Sequence, residues 1–596
     1  MADLLAAAAE RVVLLDGGMG TQIQGRDLTL DDFWGQENCS EILNLSRPDL
    51  VREIHKAYLL AGADAVETNT FGGSPLTLAE FDLADRALEI NRRAVELARE
   101  AIDELPKDGR QRFVIGSIGP GTRLPSLGHV AYQPLEDALT VQAEGLIAGG
   151  ADALLIETCQ DPLQIKAAVA GSRRAIAKLG RDVPLMVQVT IETTGTMLVG
   201  TDVAAAAVIV DALDVPVMGL NCATGPKEMV EHLRHLTSVW RGPVSVLPNA
   251  GLPELRDGKT YYPLSPDELA MWLERFVAED GVGIVGGCCG TGEDHIRALD
   301  AMLRRLARDG FRPPPKPRAP VLQPQLASLF SAVPLRQENS YLSIGERCNA
   351  NGSRRFRDLQ AAEDWDACVA MGREQVREGS NTLDVCTAFV GRDEVRDMTE
   401  VVTRMRGQVD APIVFDSTEL PVLEASLALY GGKGIINSIN FEDGEAPAEA
   451  RMRLARRFGQ AVIALTIDEA GMAKTADDKV RVAHRLVDFA CGRFGLPRHD
   501  LLIDPLTFTI CTGNEDDRKL GLWTLDAIER IARELPEIQI ILGLSNISFG
   551  LNAAARHVLN SVFLDHAIRR GLTGAIVHSS KIVPLHTIPE EEVKVA

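Results

Sequence analysis

One unit recurs along this chain: a short apolar run that ends on polar or thiol residues, followed by a longer amphipathic segment. In residues 1–310 eight such runs can be marked, at 12–19, 63–71, 113–120, 153–159, 184–191, 215–222, 244–251 and 282–289. The runs have the length and composition of strands. Segments between them, such as 49–60 and 76–101, space their apolar residues at the helical period. Eight strand-then-helix units over about 300 residues predict a (β/α)8 barrel. Residues 311–337 interrupt the pattern with PPPKPRAP and further prolines. Proline-rich segments are semi-rigid extended spacers, so a linker is predicted there. The pattern then returns over 338–585, with runs ending near Glu346, Cys386, Ser417, Ile439, Asp468, Leu506, Ser545 and Ser580. The predicted fold is α/β, two (β/α)8 TIM barrels in tandem joined by a proline-rich linker. An open doubly wound sheet reads the same strand by strand and stands as the alternative.

The polar residues fall where a barrel enzyme builds its site, at the carboxyl ends of the strands. In the first half these are Asp16, Glu67, Glu157, Cys222, Cys288 and Cys289; in the second, Glu346, Asp384, Asp416, Asn437, Asp468, Asp504 and Asn546. One Asp at a strand end reads equally well as the cap of the next helix. Repetition over seven positions weakens that reading. The net charge of -22 excludes non-specific nucleic-acid binding, which needs clustered Lys and Arg against phosphate. No run approaches the roughly 20 apolar residues of a membrane span, and the first residues lack the basic stretch of a signal peptide. Ten scattered cysteines do not make a disulfide scaffold. They point to a cytoplasmic chain with metal-binding or buried free thiols. The glycine turns GGMG and GGKG lack a full nucleotide fingerprint.

Cys222 stands in GLNCATGP at the end of the sixth run, and Cys288 and Cys289 in IVGGCCGTG at the end of the eighth. Two thiols at one strand end and a third two strands away can converge on one rim point. Three thiolates leave a fourth position open on tetrahedral zinc, and soft sulfur selects zinc over hard cations. The residues alone also allow three small buried core side chains.

The motifs DGGMGTQIQ, ETNTFGG, GSIGPGT, LIETCQDP, GLNCATGP and GGCCGTG resemble the homocysteine S-methyltransferase family over nearly all of residues 1–310. That resemblance implies zinc held by Cys222, Cys288 and Cys289, with the homocysteine sulfur at the fourth position. It also implies that Asp16 and Glu157 bind the substrate's ammonium. The motifs IGERCNANGS, LDVC, FDST, INSIN, TIDEAG, LIDPLT and GLSNISFG resemble the pterin-binding domain of the methionine synthases and their corrinoid methyltransferase relatives. This implies 5-methyltetrahydrofolate as methyl donor. Asp416, Asn437 and Asp504 then bind the pterin, Glu346 and Asn349 complete the pocket, and Asn546 faces the methyl-bearing N5. Asp384 and Asp468 are further candidates, Asp384 with Cys386 nearby where relatives carry other residues.

Together the two resemblances imply the substrate half of a cobalamin-dependent enzyme that passes methyl from folate to cob(I)alamin and from methylcobalamin to homocysteine. The cobalamin-binding signature Asp-x-His-x-x-Gly is missing. The corrinoid is therefore expected on a module absent from this chain, with 586–596 as the start of the connection. That module would belong to the same or another polypeptide. Two other readings use the same residues: a cobalamin-independent homocysteine methyltransferase fused to a folate enzyme, and a non-enzymatic folate- and zinc-binding scaffold.

Overall fold

The computed structural model describes residues 3–256, 259–307, 310–321 and 323–596, which form two compact units divided between 322 and 323. Each unit is built on eight parallel strands. In the first these are β1 (Val13–Leu14), β2 (Ala65–Glu67), β3 (Phe113–Ile118), β4 (Ala153–Cys159), β5 (Leu185–Val189), β6 (Val217–Asn221), β7 (Val244–Leu247) and β8 (Ile284–Val285). They pair in the order β1-β8-β7-β6-β5-β4-β3-β2, so a seam remains between β1 and β2. Two acids stitch it. The Asp64 N–H donates to the Leu14 carbonyl (2.7 Å) and the Leu14 N–H to Asp64 Oδ2 (3.0 Å). Nearer the carboxyl end, the Glu67 N–H donates to Asp16 Oδ2 (3.1 Å).

Alternate strand residues point inward and fill the barrel. Val13, Leu15, Phe113, Ile115, Ala153 and Leu155 share one core with Leu4, Ala7 and Ala8 of the helix Leu4–Glu10. That helix is capped by the Asp3 side chain and precedes β1, so it stops the amino-terminal end of the barrel. Outer helices begin as their sequences dictate. Pro162–Leu179 has Asp161 as its cap and proline in the first turn, where the missing N–H costs nothing.

The second unit contains β9 (Leu342–Asn349), β10 (Thr382–Cys386), β11 (Ile413–Asp416), β12 (Ile435–Ile439), β13 (Ala461–Leu465), β14 (Leu501–Asp504), β15 (Gln539–Gly543) and β16 (Gly574–Val577). They form a closed barrel in chain order, with Leu342 opposite Gly574 at the closure. Closure removes the open-sheet alternative. No helix among the described residues is long and apolar enough to cross a membrane.

The stretch read as a linker, 311–337, is not a free spacer. Arg312 is fully buried against Asp64 (2.9 Å) and Asp300 (2.8 Å), and the Val12 N–H donates to Pro313. This part belongs to the first barrel. Gln325–Ala327 pairs antiparallel with Ala332–Pro334, and Leu326 and Leu335 enter the core of the second barrel with Leu342, Ile344 and Val414. The proline count drew attention away from these apolar residues, which suffice to dock an extended segment. Replacing Leu326 by Ala is expected to cost the second barrel about 2–5 kcal/mol, the usual range for a fully buried leucine; urea denaturation of the full chain measures it.

Candidate functional site

In the first barrel, loops after β6 and β8 bring three sulfurs together. β6 ends on Asn221, and the chain turns sharply because Cys222 and Ala223 both take left-handed angles, φ +56° and +54°. The turn is held by the Cys222 N–H, which donates to the Leu247 carbonyl at the end of β7 (3.1 Å). Beyond β8 the N–H of Cys288 donates to the Pro248 carbonyl (2.9 Å), and that of Cys289 to the Asn249 side-chain oxygen (3.1 Å). Both thiol loops are thus anchored on the same segment. Gly290, φ +78°, reverses the chain after the cysteine pair; a Cβ there would lie 2.2 Å from the Tyr262 ring, so glycine is required.

The three sulfurs lie within 4.8 Å of one another, and no other group of this kind occurs among the described residues. Cys289 Sγ is 3.9 Å from Cys222 Sγ and 4.0 Å from Cys288 Sγ. Tetrahedral zinc at about 2.3 Å from each sulfur requires separations of about 3.8 Å, so the donor set fits. Hydrogen bonding to Cys222 and Cys288 draws the Cys289 thiol well below its ordinary range, and the same contacts push Cys288 up.

A cavity of about 430 Å³ adjoins the sulfurs and is lined in part by Glu67, Ser117, Glu157 and Asn221. Asp16 lies two residues beyond β1, next to Glu67. Asp16 Oδ1 and Glu67 Oε1 are buried without a hydrogen-bond partner. Glu157 accepts from Ser117 and, at 3.2 Å, from Asn221. All three carboxyls are raised above the usual carboxylate range, first by burial. Charge adds to this: Glu157 raises Asp16, both of them raise Glu67, and Cys289 raises Glu157. The structure places Asp16 beside Glu157, as the sequence suggested, and adds Glu67 between them. Its place at the end of β2, across the seam from Asp16, was the signal for it.

At the second rim Asn349 is the hub. Its amide donates to Asp384 Oδ2 (2.8 Å) and Asp416 Oδ2 (2.9 Å), while Asn437 reaches Asp384 Oδ1 at 3.5 Å. One network therefore spans the ends of β9 to β12. Burial, then the charge of Asp416, raises Asp384 well above the usual range, and Asp416 itself lies at about 6 through burial. Burial thus disfavours the charged form of both carboxyls, and of Asp384 the more. Cys386 lies opposite Asn349 in the ladder, and its buried thiol hydrogen-bonds to Asp416.

Glu346 accepts from Ser545 (3.1 Å). Asp504 ends β14 and accepts backbone N–H groups from Leu506 (2.8 Å) and Gly543 (3.3 Å). Asn546 lies exposed on the turn Leu544–Ser548, and its side chain has no hydrogen-bond partner among the described residues. Asp468 is not joined to this group. It pairs with Arg481 (2.9 Å) and caps a small turn at Ala470 (3.0 Å).

Residues 13–303 match the family described as homocysteine S-methyltransferase, and residues 345–578 match the pterin binding enzymes. Over 598 residues, 100% of the chain, it is 51% identical to a methionine synthase of Mycobacterium tuberculosis, covering 50% of that protein. Over 594 residues, 99% of the chain, it is 51% identical to a methionine synthase of Mycobacterium leprae, covering 49% of it. Along its whole length the chain is similar to these two methionine synthases. It spans about half the length of the curated relatives it matches. Among solved structures, the metallated homocysteine methyltransferase MmuM of Escherichia coli is 25% identical, with a TM-score of 0.39, covering 49% of this chain and 96% of its own.

Reasoning from sequence passed over residues that support the two rims. Tyr262 hydrogen-bonds to Cys289 from the loop after a small hairpin, Glu254–Arg256 with Lys259–Tyr261. Arg556 holds the Asn546 turn through Ser548 Oγ (3.1 Å) and the Ser545 carbonyl (3.2 Å). Neither lies at a strand end, so the pattern that revealed the others could not reveal them.

The raised carboxyls also set a pH dependence. Burial places Asp504 at about 6, above its unfolded value of about 3.9. The folded chain then binds more protons than the unfolded one, and this contribution to stability is lost as pH rises from about 4 to about 6. Asn at position 504 cannot titrate. The stability difference between wild type and Asp504→Asn should therefore shift by roughly 1–3 kcal/mol in the variant's favour between pH 4.5 and pH 7, read by denaturant titration at each pH.

Proposed function

We propose that this chain provides both substrate sites of a corrinoid-dependent methionine synthase. The first barrel binds homocysteine for methylation. The second binds 5-methyltetrahydrofolate and presents its N5-methyl group to cob(I)alamin carried by a module outside this chain. The observation that carries the reading is the first cavity, which is lined both by three thiols at zinc-binding separations and by the acids Glu67 and Glu157, with Asp16 hydrogen-bonded to the Glu67 N–H. Such a pocket suits one molecule bearing both a thiol and an ammonium.

Cys222, Cys288 and Cys289 would hold the zinc. When bound, zinc keeps the substrate thiol deprotonated at neutral pH, where a free thiol of pKa about 8.5 is mostly protonated. Asp16, Glu67 and Glu157 face the ammonium and fix the amino acid with its sulfur toward the cysteines. Ammonium binding relieves the mutual repulsion that raises these carboxyls, so the substrate supplies the charge the pocket lacks.

In the second barrel, Asp504 has both oxygens set by backbone N–H groups and keeps lone pairs for the N–H and amino donors of a pterin edge. Asn349 fixes Asp416 and Asp384 as a polar wall with Asn437. As methyl leaves, N5 must be protonated or strongly hydrogen-bonded. Asn546 cannot readily supply a proton. With its amide unengaged, it can orient a water or stabilise protonated N5.

Two predictions follow from this division. Zinc should bind at about one ion per chain, by the three-thiolate argument. Cobalt substituted for it should show sulfur-to-cobalt charge transfer that disappears in Cys288→Ala and Cys289→Ala; unchanged metal retention in both variants would overturn the site. Free cob(I)alamin with methyltetrahydrofolate, and methylcobalamin with homocysteine, should each react on the isolated chain, followed by the corrinoid spectrum. Cys289→Ala should abolish the second reaction and spare the first. Asp504→Ala should weaken folate binding by about 1.5–3 kcal/mol, the size of a hydrogen bond to a charged group, and spare the second. Loss of both reactions in either variant would contradict the separation of the two sites.

A further inference from the structure

We propose that Lys479 is a positioning residue for Asp504, fixing the loop that shapes its carboxylate and supplying the countercharge that keeps it ionised. This rests on the reading of the second rim as a pterin site.

Lys479 stands on the helix Ala476–Val487, which Thr475 caps. Its side chain is fully buried, a rare state for lysine unless it is paired. The ammonium points at the loop after β14. It donates to the Pro505 carbonyl and to that of Leu506 (3.1 Å), and it lies 4.9 Å from the centroid of the Phe508 ring. That is cation–π range.

Leu506 takes φ +64°, an uncommon conformation for a residue with a bulky side chain. Thr524 Oγ1 donates to the same Leu506 carbonyl at 3.0 Å. Held from both donors, Leu506 turns its N–H onto Asp504 Oδ1 at 2.8 Å. The contact chain runs from the Lys479 ammonium, through two backbone carbonyls, to the carboxylate.

Charge gives the second half of the argument. Burial would leave Asp504 protonated through the mildly acidic range, and the attraction of Lys479 opposes this. The lysine, drawn down to about 8 by burial, still carries its proton at neutral pH. Other ionisable groups on the neighbouring elements are engaged elsewhere: Asp468 with Arg481 (2.9 Å), Asp477 with Arg530 (2.6 Å) and His484 with Glu534 (2.9 Å). Lys474 is exposed. The same rim carries the acids Glu346, Asp384 and Asp416, and Arg556, whose positive charge acts on Glu346. A carboxylate that accepts two pterin hydrogen bonds must be ionised, so the lysine sets the lower pH limit of the site.

The test is equilibrium binding of methyltetrahydrofolate to the full chain between about pH 5 and pH 8, with thermal melting as a check on folding. In wild type the affinity should fall as pH drops through about 6, where Asp504 takes up its proton. Lys479→Met should move this acid limb upward by about one pH unit, the shift made by removing one nearby opposite charge. Binding at pH 6 should then weaken by about fivefold. Lys479→Arg, which keeps the charge, should retain the wild-type midpoint. Should Lys479→Met melt early, Lys479→Gln keeps a donor toward the two carbonyls and gives the same reading. A folded Met or Gln variant with the wild-type midpoint would overturn the role of the lysine while leaving the pterin site intact. Wild type that binds no folate at any pH would overturn both.

Discussion

Buried acids are treated oppositely at the two ends of these barrels. At the amino-terminal ends each is met by a base. Asp64 is paired with Arg312 (2.9 Å) and Arg11 (3.2 Å), Asp152 with Arg99 (2.6 Å) and Asp500 with Lys433 (2.7 Å). At the carboxyl-terminal ends, Asp16, Glu67 and Glu157 of the first barrel and Asp384 and Asp416 of the second are raised first by burial, and then by neighbouring negative groups. An unpaired buried charge is costly, and a cluster of like charges more so. The barrel tolerates the cost at one end because the other is closed by ion pairs, a plugging helix or hairpin, and apolar packing. What remains open is a demand for cations and hydrogen-bond donors.

Local backbone geometry serves the same end. Thr158, Cys222, Ala223 and Leu506 all have positive φ without being glycine. Each sits at or just after the carboxyl end of a strand, and each turns a functional group or its support into place. Such conformations cost free energy and persist only where the surroundings impose them. Here the surroundings are parallel strands whose loops donate N–H groups to one another: Cys222 to Leu247, Cys288 to Pro248. The thiol separations follow from that stitching. Strand register alone would leave the sulfurs apart.

The strand-end rule marked residues that the structure brings together: the three cysteines, Asp16 and Glu157, and Asp384, Asp416 and Asn437, which form one connected network with Asn349, a residue named by resemblance alone. It was also too generous. Asp468 obeys the rule and yet is taken up by Arg481, because the short hairpin after β13 turns it toward the helix Ala476–Val487. Cys386, a departure from the familiar motif, proves to be a buried donor to Asp416. Asp384 is nevertheless tied to Asp416, since the Asn349 amide donates to both carboxyls.

What the sequence determined by itself was periodicity and composition. Apolar runs with polar ends, sixteen times over, leave few folds other than two barrels, and they assign each polar residue to a rim. Strand spacing and motif resemblance are local properties, so they survive translation into one dimension. Tertiary structure decided the rest. It made the proline-rich stretch part of both barrels, because a few apolar side chains outweigh a compositional impression once there is a core to enter. It also put Glu67 between Asp16 and Glu157, Tyr262 beside Cys289 and Lys479 behind Asp504. These contacts join residues far apart in the chain or lying on helices and loops, and only closure of the barrel fixes the distances between them.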